Sequence, residues 1–372
     1  MSRVMIALAS EQRMQNVIPV FQKGLGFEKV YLIRSIDADQ PGSHFARAVS
    51  DVKETLESLA HVEVEVWNRA VDAYAFEETR RAAAEVIRRE SPREAVVNLT
   101  GGTKCMSIAA FLAAQENGAK SLYVDTANEK LVWFKPDGSV QEEPFELGGR
   151  LTVPVYFYSN GRRIDGQRTQ RQALPAAAYE LARELLSLWP QSVPTLEEFG
   201  RSISQGQKRL SNTGLDVRVT ELLQRYHFIA AAADGSWEVA PQGRAVLTGK
   251  WLEAMVYVLL KDSEYFDDVM VNVCLSGIEN ELDVVAVRNG QLAVIECKSG
   301  DLGGQTTLNK LQAIRTTLGK FTRGFFVTSR TAEQVDSNFR ARASEYGIRS
   351  IITAEQLLQA ADEIRKGMRG AS

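Results

Sequence analysis

The stretch ELDVVAVRNGQLAVIECKSG, residues 281–300, decides the fold of the C-terminal third of this chain. It reads as two apolar strands separated by Asn289-Gly290, a pair favoured in two-residue hairpin turns, where both central positions need positive φ. Side chains two apart on a strand share a face, so Glu296 and Lys298 point one way and Cys297 the other. The hairpin register brings Asp283 on the first strand near Glu296 on the second. Valine or isoleucine would pack better at these places. Two carboxylates at close range resist joint ionisation unless a cation lies between them. A hard divalent ion resolves the conflict, and Mg2+ or Mn2+ suits carboxylate ligands completed by water. Asp283 and Glu296 are therefore candidate metal ligands, with the backbone carbonyl of Cys297 as a third. Lys298 is placed to orient an attacking water or to stabilise charge on a phosphate. Glu253, on the preceding amphipathic helix GKWLEAMVYVLLKD, is an outer or second-metal ligand candidate.

Working outward, a helix over about 304–319, the strand RGFFVTS, a helix over 332–345, the strand IRSII and a helix over 354–366 complete this domain. Upstream, residues 1–150 alternate near-continuous apolar strands (RVMIALAS, KVYLIRS, VEVEVW, EAVVNLTG, KSLYVDT) with helical segments, the mark of a parallel sheet covered on both faces. KLVWFK and VQEEPFEL, joined across Pro136-Asp137-Gly138, add an edge hairpin. An arginine-rich passage over 151–170 suggests a change of domain. Helices near 175–189, 195–204 and 215–226, then a small hairpin turning at Asp234-Gly235, follow the order of a winged helix. The expected fold class is α/β in three parts: a Rossmann-like parallel sheet (1–150), a winged-helix-like connector (151–248) and an α/β domain (249–372).

NLTGGTKCMS, residues 98–107, ends a strand and opens a helix. Gly101 and Gly102 allow close backbone approach, the free N–H groups of the helix suit an anion, and Lys104 adds a full charge. The spacing fits neither a Walker A loop nor G-x-G-x-x-G, so NTP hydrolysis and dinucleotide oxidoreduction lose support. Ser10, Gln12 and Asn16, after the first strand, reach the same carboxyl end of the sheet, where open α/β sheets bind ligands. With Thr100 and Thr103 they form a candidate binding set.

ELDVV…VIECKSG behind the helix GKWLEAMV resembles the PD-(D/E)xK restriction-endonuclease-like nuclease core. The resemblance implies that Asp283, Glu296, Lys298 and Glu253 carry catalysis, with Glu281 and Gln312 as auxiliary polar residues. The TGGTK loop and the order of elements over 1–150 resemble the CARF domain, the CRISPR-associated Rossmann-fold sensor. That resemblance implies a homodimer whose two-fold axis holds a cyclic oligoadenylate over Ser10, Gln12, Asn16, Thr100, Gly101, Gly102, Thr103 and Lys104. Together they imply a type III CRISPR effector, activated by cyclic tetra-adenylate, that uses Mn2+ or Mg2+ to cut single-stranded DNA, to nick duplex DNA, and in some members to cut RNA.

The rest of the sequence bounds these readings. Net charge is −3 over 372 residues, so any nucleic-acid site is local. Between Lys298 and Arg342, eight basic residues face three acids, a local surplus of the sign a phosphate backbone attracts. Cys105, Cys274 and Cys297 fit no disulfide framework or zinc motif. Neither a leader nor a membrane span is evident, so a cytoplasmic protein is expected. None of His44, His61 and His227 follows an arginine at the spacing a HEPN-type RNase needs. The alternative is a transcription regulator, with sensor and winged helix active and the C-terminal domain degenerate.

Overall fold

The computed structural model describes residues 3–40, 42–91, 94–207, 209–319 and 321–369. The chain forms two compact units, Met1–Arg163 with Val287–Gln291, and Ile164–Ala286 with Leu292–Ser372.

The first unit is built on strands β1 (Arg3–Leu8), β2 (Phe27–Ile33), β3 (Glu63–Val66), β4 (Ala95–Asn98), β5 (Lys120–Asp125), β6 (Lys130–Phe134) and β7 (Val140–Pro144). They lie in the order β3-β2-β1-β4-β5-β6-β7. The first five are parallel. The expected edge hairpin is present, with β6 and β7 antiparallel and Phe134 opposite Val140. From Val4 to Leu8, β1 is an uninterrupted apolar run because both of its faces are covered. Helices α1 (Met14–Phe21), α2 (His44–Leu59), α3 (Phe76–Glu90) and α4 (Lys104–Glu116) supply the covering layers. α3 buries Ala82, Ala83 and Ala84, and α4 buries Ala109, Ala110, Ala113 and Ala114, so these two helices pack closely. The arginine-rich passage is more ordered than its composition suggests. Thr152 caps a short helix, α5 (Val153–Ser159), that buries Tyr156 and Phe157, and Asp165 caps another, α6 (Gly166–Gln172).

In the second unit α6 is followed by α7 (Ala176–Ser187), α8 (Val193–Ser204), β8 (Arg209–Leu210), α9 (Val217–Arg225), β9 (Ile229–Ala231), β10 (Trp237–Val239) and α10 (Pro241–Ala245). β8, β10 and β9 pair as a three-stranded wing. This is the winged-helix order, plus a two-residue strand too short to leave a sequence signal. Then come α11 (Trp251–Asp262), β11 (Asp268–Cys274), β12 (Glu281–Arg288), β13 (Gln291–Lys298), α12 (Gly304–Thr317), β14 (Thr322–Thr328), α13 (Ser337–Glu345), β15 (Ile348–Ile352) and α14 (Ala360–Met368). The sheet order is β11-β12-β13-β14-β15, with β13, β14 and β15 mutually parallel. Asn289 (φ 48°) and Gly290 (φ 77°) make the tight turn that joins β12 to β13.

Candidate functional site

Four elements of the second unit converge on the acidic residues. Glu253 sits in the first turn of α11. Glu281 and Asp283, two apart on β12, share a face. β13 supplies Glu296 and Lys298, and α12 brings Lys310. Carboxylate oxygens of Glu253, Glu281 and Asp283 lie within 4.8 Å of one another. Asp283 Oδ2 accepts the Cys297 N–H at 2.8 Å, so the Cys297 peptide lies against this carboxylate. Glu296, 3% exposed, pairs with Lys298 at 3.1 Å and with Lys310 at 3.2 Å. Gln312 lies two residues beyond Lys310, on the same helix.

Lys250 is not a candidate in the sequence, and Lys310 enters there only as one of the eight basic residues. The Lys250 ammonium bonds Glu281, meets Asn272 Oδ1 at 3.1 Å and lies 3.8 Å from Glu253. The basic surplus between Lys298 and Arg342 is not a free strip. Lys298 and Lys310 face Glu296, Arg315 donates to the Tyr346 and Gly347 carbonyls, and Arg340 donates to that of Ala332. Lys320, one of the eight, lies outside the described residues.

Burial pushes the Glu253 carboxyl up to about 8, with the Asp283 charge as second cause. Burial and then Glu296 push Asp283 up to about 7. Burial opposes charge on Lys298, but Glu296 and Asp283 outweigh it and hold the ammonium above its ordinary range. Glu253 Oε2 is buried without a hydrogen-bond partner. Oxygen ligands only, close together, short of positive charge and partly unsatisfied, fit a hard divalent ion.

The raised values set a pH test. Each carboxyl binds its proton more tightly folded than unfolded, so its contribution is full below the unfolded value near 4 and is lost as pH climbs towards 7–8. The metal-stripped protein should therefore melt at lower temperature at about pH 8 than at about pH 5, with a flatter slope in Asp283→Asn. Millimolar Mn2+ should raise the melting temperature more at the higher pH, where fewer protons compete. A larger metal shift at the lower pH would contradict this electrostatic account.

At the carboxyl end of the first unit's parallel strands, a cavity of about 320 Å3 is lined by Ser10, Gln12, Thr100, Gly102 and Thr103, together with Gln15, Asp37, Phe45 and Tyr74. Thr103 caps α4, accepting the Met106 N–H at 3.2 Å and donating to the Ala73 carbonyl at 2.6 Å. A Cβ at Gly101 would lie 2.0 Å from the Leu8 carbonyl oxygen, so only glycine fits there. Asn16 stands behind the cavity. It is fully buried, donates to the Leu8 carbonyl at 2.9 Å and accepts from Asn98 at 3.1 Å. Lys104 lines a neighbouring hollow with Ile108, Phe111, Tyr123 and Phe134. Tyr74 lies in a loop and carries no periodic signal, whereas Phe45, in the first turn of α2, reads as part of that helix's apolar stripe with Ala48, Val49 and Val52. Tyr74 is 79% exposed at the cavity rim.

On the winged helix, Arg218 is paired with Asp216 and Arg225 with Glu184, so the outward arginines of α9 are already neutralised.

Residues 4–156 match the family described as the Card1 CARF domain, and residues 241–369 match the Card1-like endonuclease domain. No curated protein matches the chain. Among solved structures, protein VC1899 from Vibrio cholerae is similar at a TM-score of 0.73 and 18% identity, over 99% of each chain. Can2 from Sulfobacillus thermosulfidooxidans, solved with cyclic tetra-adenylate, is similar at 0.69 and 23% identity, over 98% of this chain and 99% of that one. A type III CRISPR defence DNA nuclease activated by cyclic oligoadenylate is similar at 0.54 and 21% identity, over 89% of this chain and 46% of that one. With a CARF domain over residues 4–156 and an endonuclease domain over residues 241–369, each matched to its own Card1 model, this chain belongs to the Card1 family of CARF-domain endonucleases.

Proposed function

We propose that the chain is a metal-dependent endonuclease that cuts DNA, and RNA as well, when cyclic tetra-adenylate fills the cavity over the Gly101-Gly102 loop. The observation that carries this reading is the pair of buried acids Asp283 and Glu296 with the half-buried Lys298 on one hairpin, and Glu253 and Glu281 beside them. The division of labour is a sensor over 1–150, a connector over 151–248 and a nuclease over 249–372.

Asp283, Glu296 and the Cys297 carbonyl would hold Mn2+ or Mg2+, with Glu253 as an outer ligand. Such an ion supplies Lewis-acid stabilisation of the phosphoryl oxygens and a lowered pKa for water. Lys298 stays charged, is anchored by Glu296, and orients the attacking water. At the other end of the chain, Thr103 and the α4 N-terminus meet phosphate oxygens, and Gly102 lets the ligand approach the backbone. Ser10 and Gln12 supply polar contacts from the opposite wall. Thr100 lines the cavity as well, and Gly101 and Asn16 shape it from behind. Lys104 adds charge at the mouth, and Tyr74 and Phe45 offer aromatic faces for adenine bases.

The activator site is completed by a second copy of the chain. Ile108 and Leu112, on the outward face of α4, and Tyr123 on β5 are exposed, and Lys104 sits on the same side. Apolar side chains on an otherwise polar helix face suit a symmetric dimer contact. Ile108→Asp should convert dimers to monomers in analytical ultracentrifugation and remove activation. A dimer that survives this change would place the contact elsewhere.

The deciding experiment is incubation with supercoiled plasmid and labelled single strands in Mn2+ or Mg2+, with and without cyclic tri-, tetra- and hexa-adenylate. Scission that depends on both metal and the tetra-adenylate is the expected result. Metal-independent cutting, or cutting unaffected by any ring, would refute the reading.

A further inference from the structure

We propose that Lys250 takes the place of a second metal ion, so that each nuclease site works with one divalent ion. This rests on reading the hairpin acids as a metal centre. The Glu253–Glu281–Asp283 cluster is itself spaced for a cation. The Lys250 ammonium reaches it, bonded to Glu281 and 3.8 Å from Glu253.

This placement is built rather than incidental. Gly249, with φ 135°, breaks the chain just before α11, and a Cβ there would lie 2.9 Å from Ser299 Oγ. The break starts α11 so that the Lys250 side chain turns towards β11 and β12. On β11, Asn272 is fully buried and takes the left-handed conformation (φ 55°) that asparagine tolerates better than most residues. Its Nδ2 donates to the Gln172 carbonyl at 3.0 Å, which leaves Oδ1 for Lys250 at 3.1 Å. The ammonium thus donates to Glu281 and Asn272 and stands in ion-pair range of Glu253.

Charge gives the same answer. Four carboxylates (Glu253, Glu281, Asp283, Glu296) meet three ammonium groups (Lys250, Lys298, Lys310). With all ionised, one negative charge remains, and one divalent ion reverses it by a single unit. A second would leave three uncompensated positive charges in a largely buried site, a costly arrangement. With Lys250 removed, a second ion becomes tolerable at the vacated carboxylates.

The test counts Mn2+ bound per full-length chain by calorimetry and by the electron paramagnetic resonance signal of free Mn2+. One ion is expected in the wild type, two in Lys250→Met, and one in Lys250→Arg. Two ions of similar affinity in the wild type would overturn the proposal, as would a Lys250→Met protein that still takes one. The wild-type count needs no variant, so it decides even if Lys250→Met does not fold. No uptake at all would overturn the metal reading itself, which keeps the two failures distinct.

Discussion

Asp283→Asn is expected to slow strand scission about a thousand-fold while leaving binding of cyclic tetra-adenylate unchanged. Asparagine has nearly the shape of aspartate, and its Oδ1 can still accept the Cys297 N–H that Asp283 accepts at 2.8 Å. The hairpin therefore keeps its register. What is lost is a negative charge that faces Glu253 and Glu281 on one side and Glu296 on the other. Metal-assisted stabilisation of phosphoryl transfer contributes several kcal/mol, and about 4 kcal/mol corresponds to about a thousand-fold in rate. Plasmid nicking with Mn2+ and activator measures the loss, and calorimetry with the activator alone shows that the sensor is intact. A rate within about ten-fold of wild type would mean that this carboxylate is not part of the chemistry.

The hairpin was legible because every signal in it is local. Alternation sets the faces of Asp283, Glu296 and Lys298, and Asn289-Gly290 sets the turn. The parallel sheet was legible as a class, since the strands of the first unit are apolar throughout. Its order was not, because each parallel pair joins residues far apart in sequence, as Val4 with Ala95. The places of Lys250 and Lys310 at the acids were missed for a related reason. Lys250 meets Glu281 thirty-one residues away through a glycine break and a buried asparagine, and no periodicity encodes that meeting. Asn16 shows the converse error. At the carboxyl end of a sheet a polar side chain reads as a ligand contact, yet here it fastens α1 to the ends of β1 and β4 through Leu8 and Asn98. The arginines between Lys298 and Arg342 repeat this on a larger scale. Counting charge shows a surplus, but only the fold shows that Arg315 and Arg340 cap backbone carbonyls.

Thr103→Asp should weaken activation strongly with little effect on folding, because it separates the two tasks of this position. Thr103 caps α4 by accepting the Met106 N–H, and aspartate caps a helix as well as threonine does. The bond to the Ala73 carbonyl is lost, at a net cost of about 1 kcal/mol. The new carboxylate, however, stands where the helix N-terminus would otherwise offer positive charge to a phosphate. Like charges about 4 Å apart repel by roughly 1–4 kcal/mol in a partly solvated site, and a cyclic tetranucleotide on a two-fold axis meets the change twice. Activator affinity should fall at least about a hundred-fold, which corresponds to about 2.7 kcal/mol. The consequence for cleavage is steeper than for a simple binding site. Moving the nuclease from nearly all inactive to nearly all active requires roughly 5.5 kcal/mol of preference for the active state. A ligand that has lost half of that preference leaves the equilibrium near its midpoint even at saturation. Calorimetry should therefore show weakened binding, and saturating activator should restore only part of the wild-type rate. Full restoration at saturation would mean that Thr103 affects affinity alone and that the switch draws its energy from contacts elsewhere in the cavity.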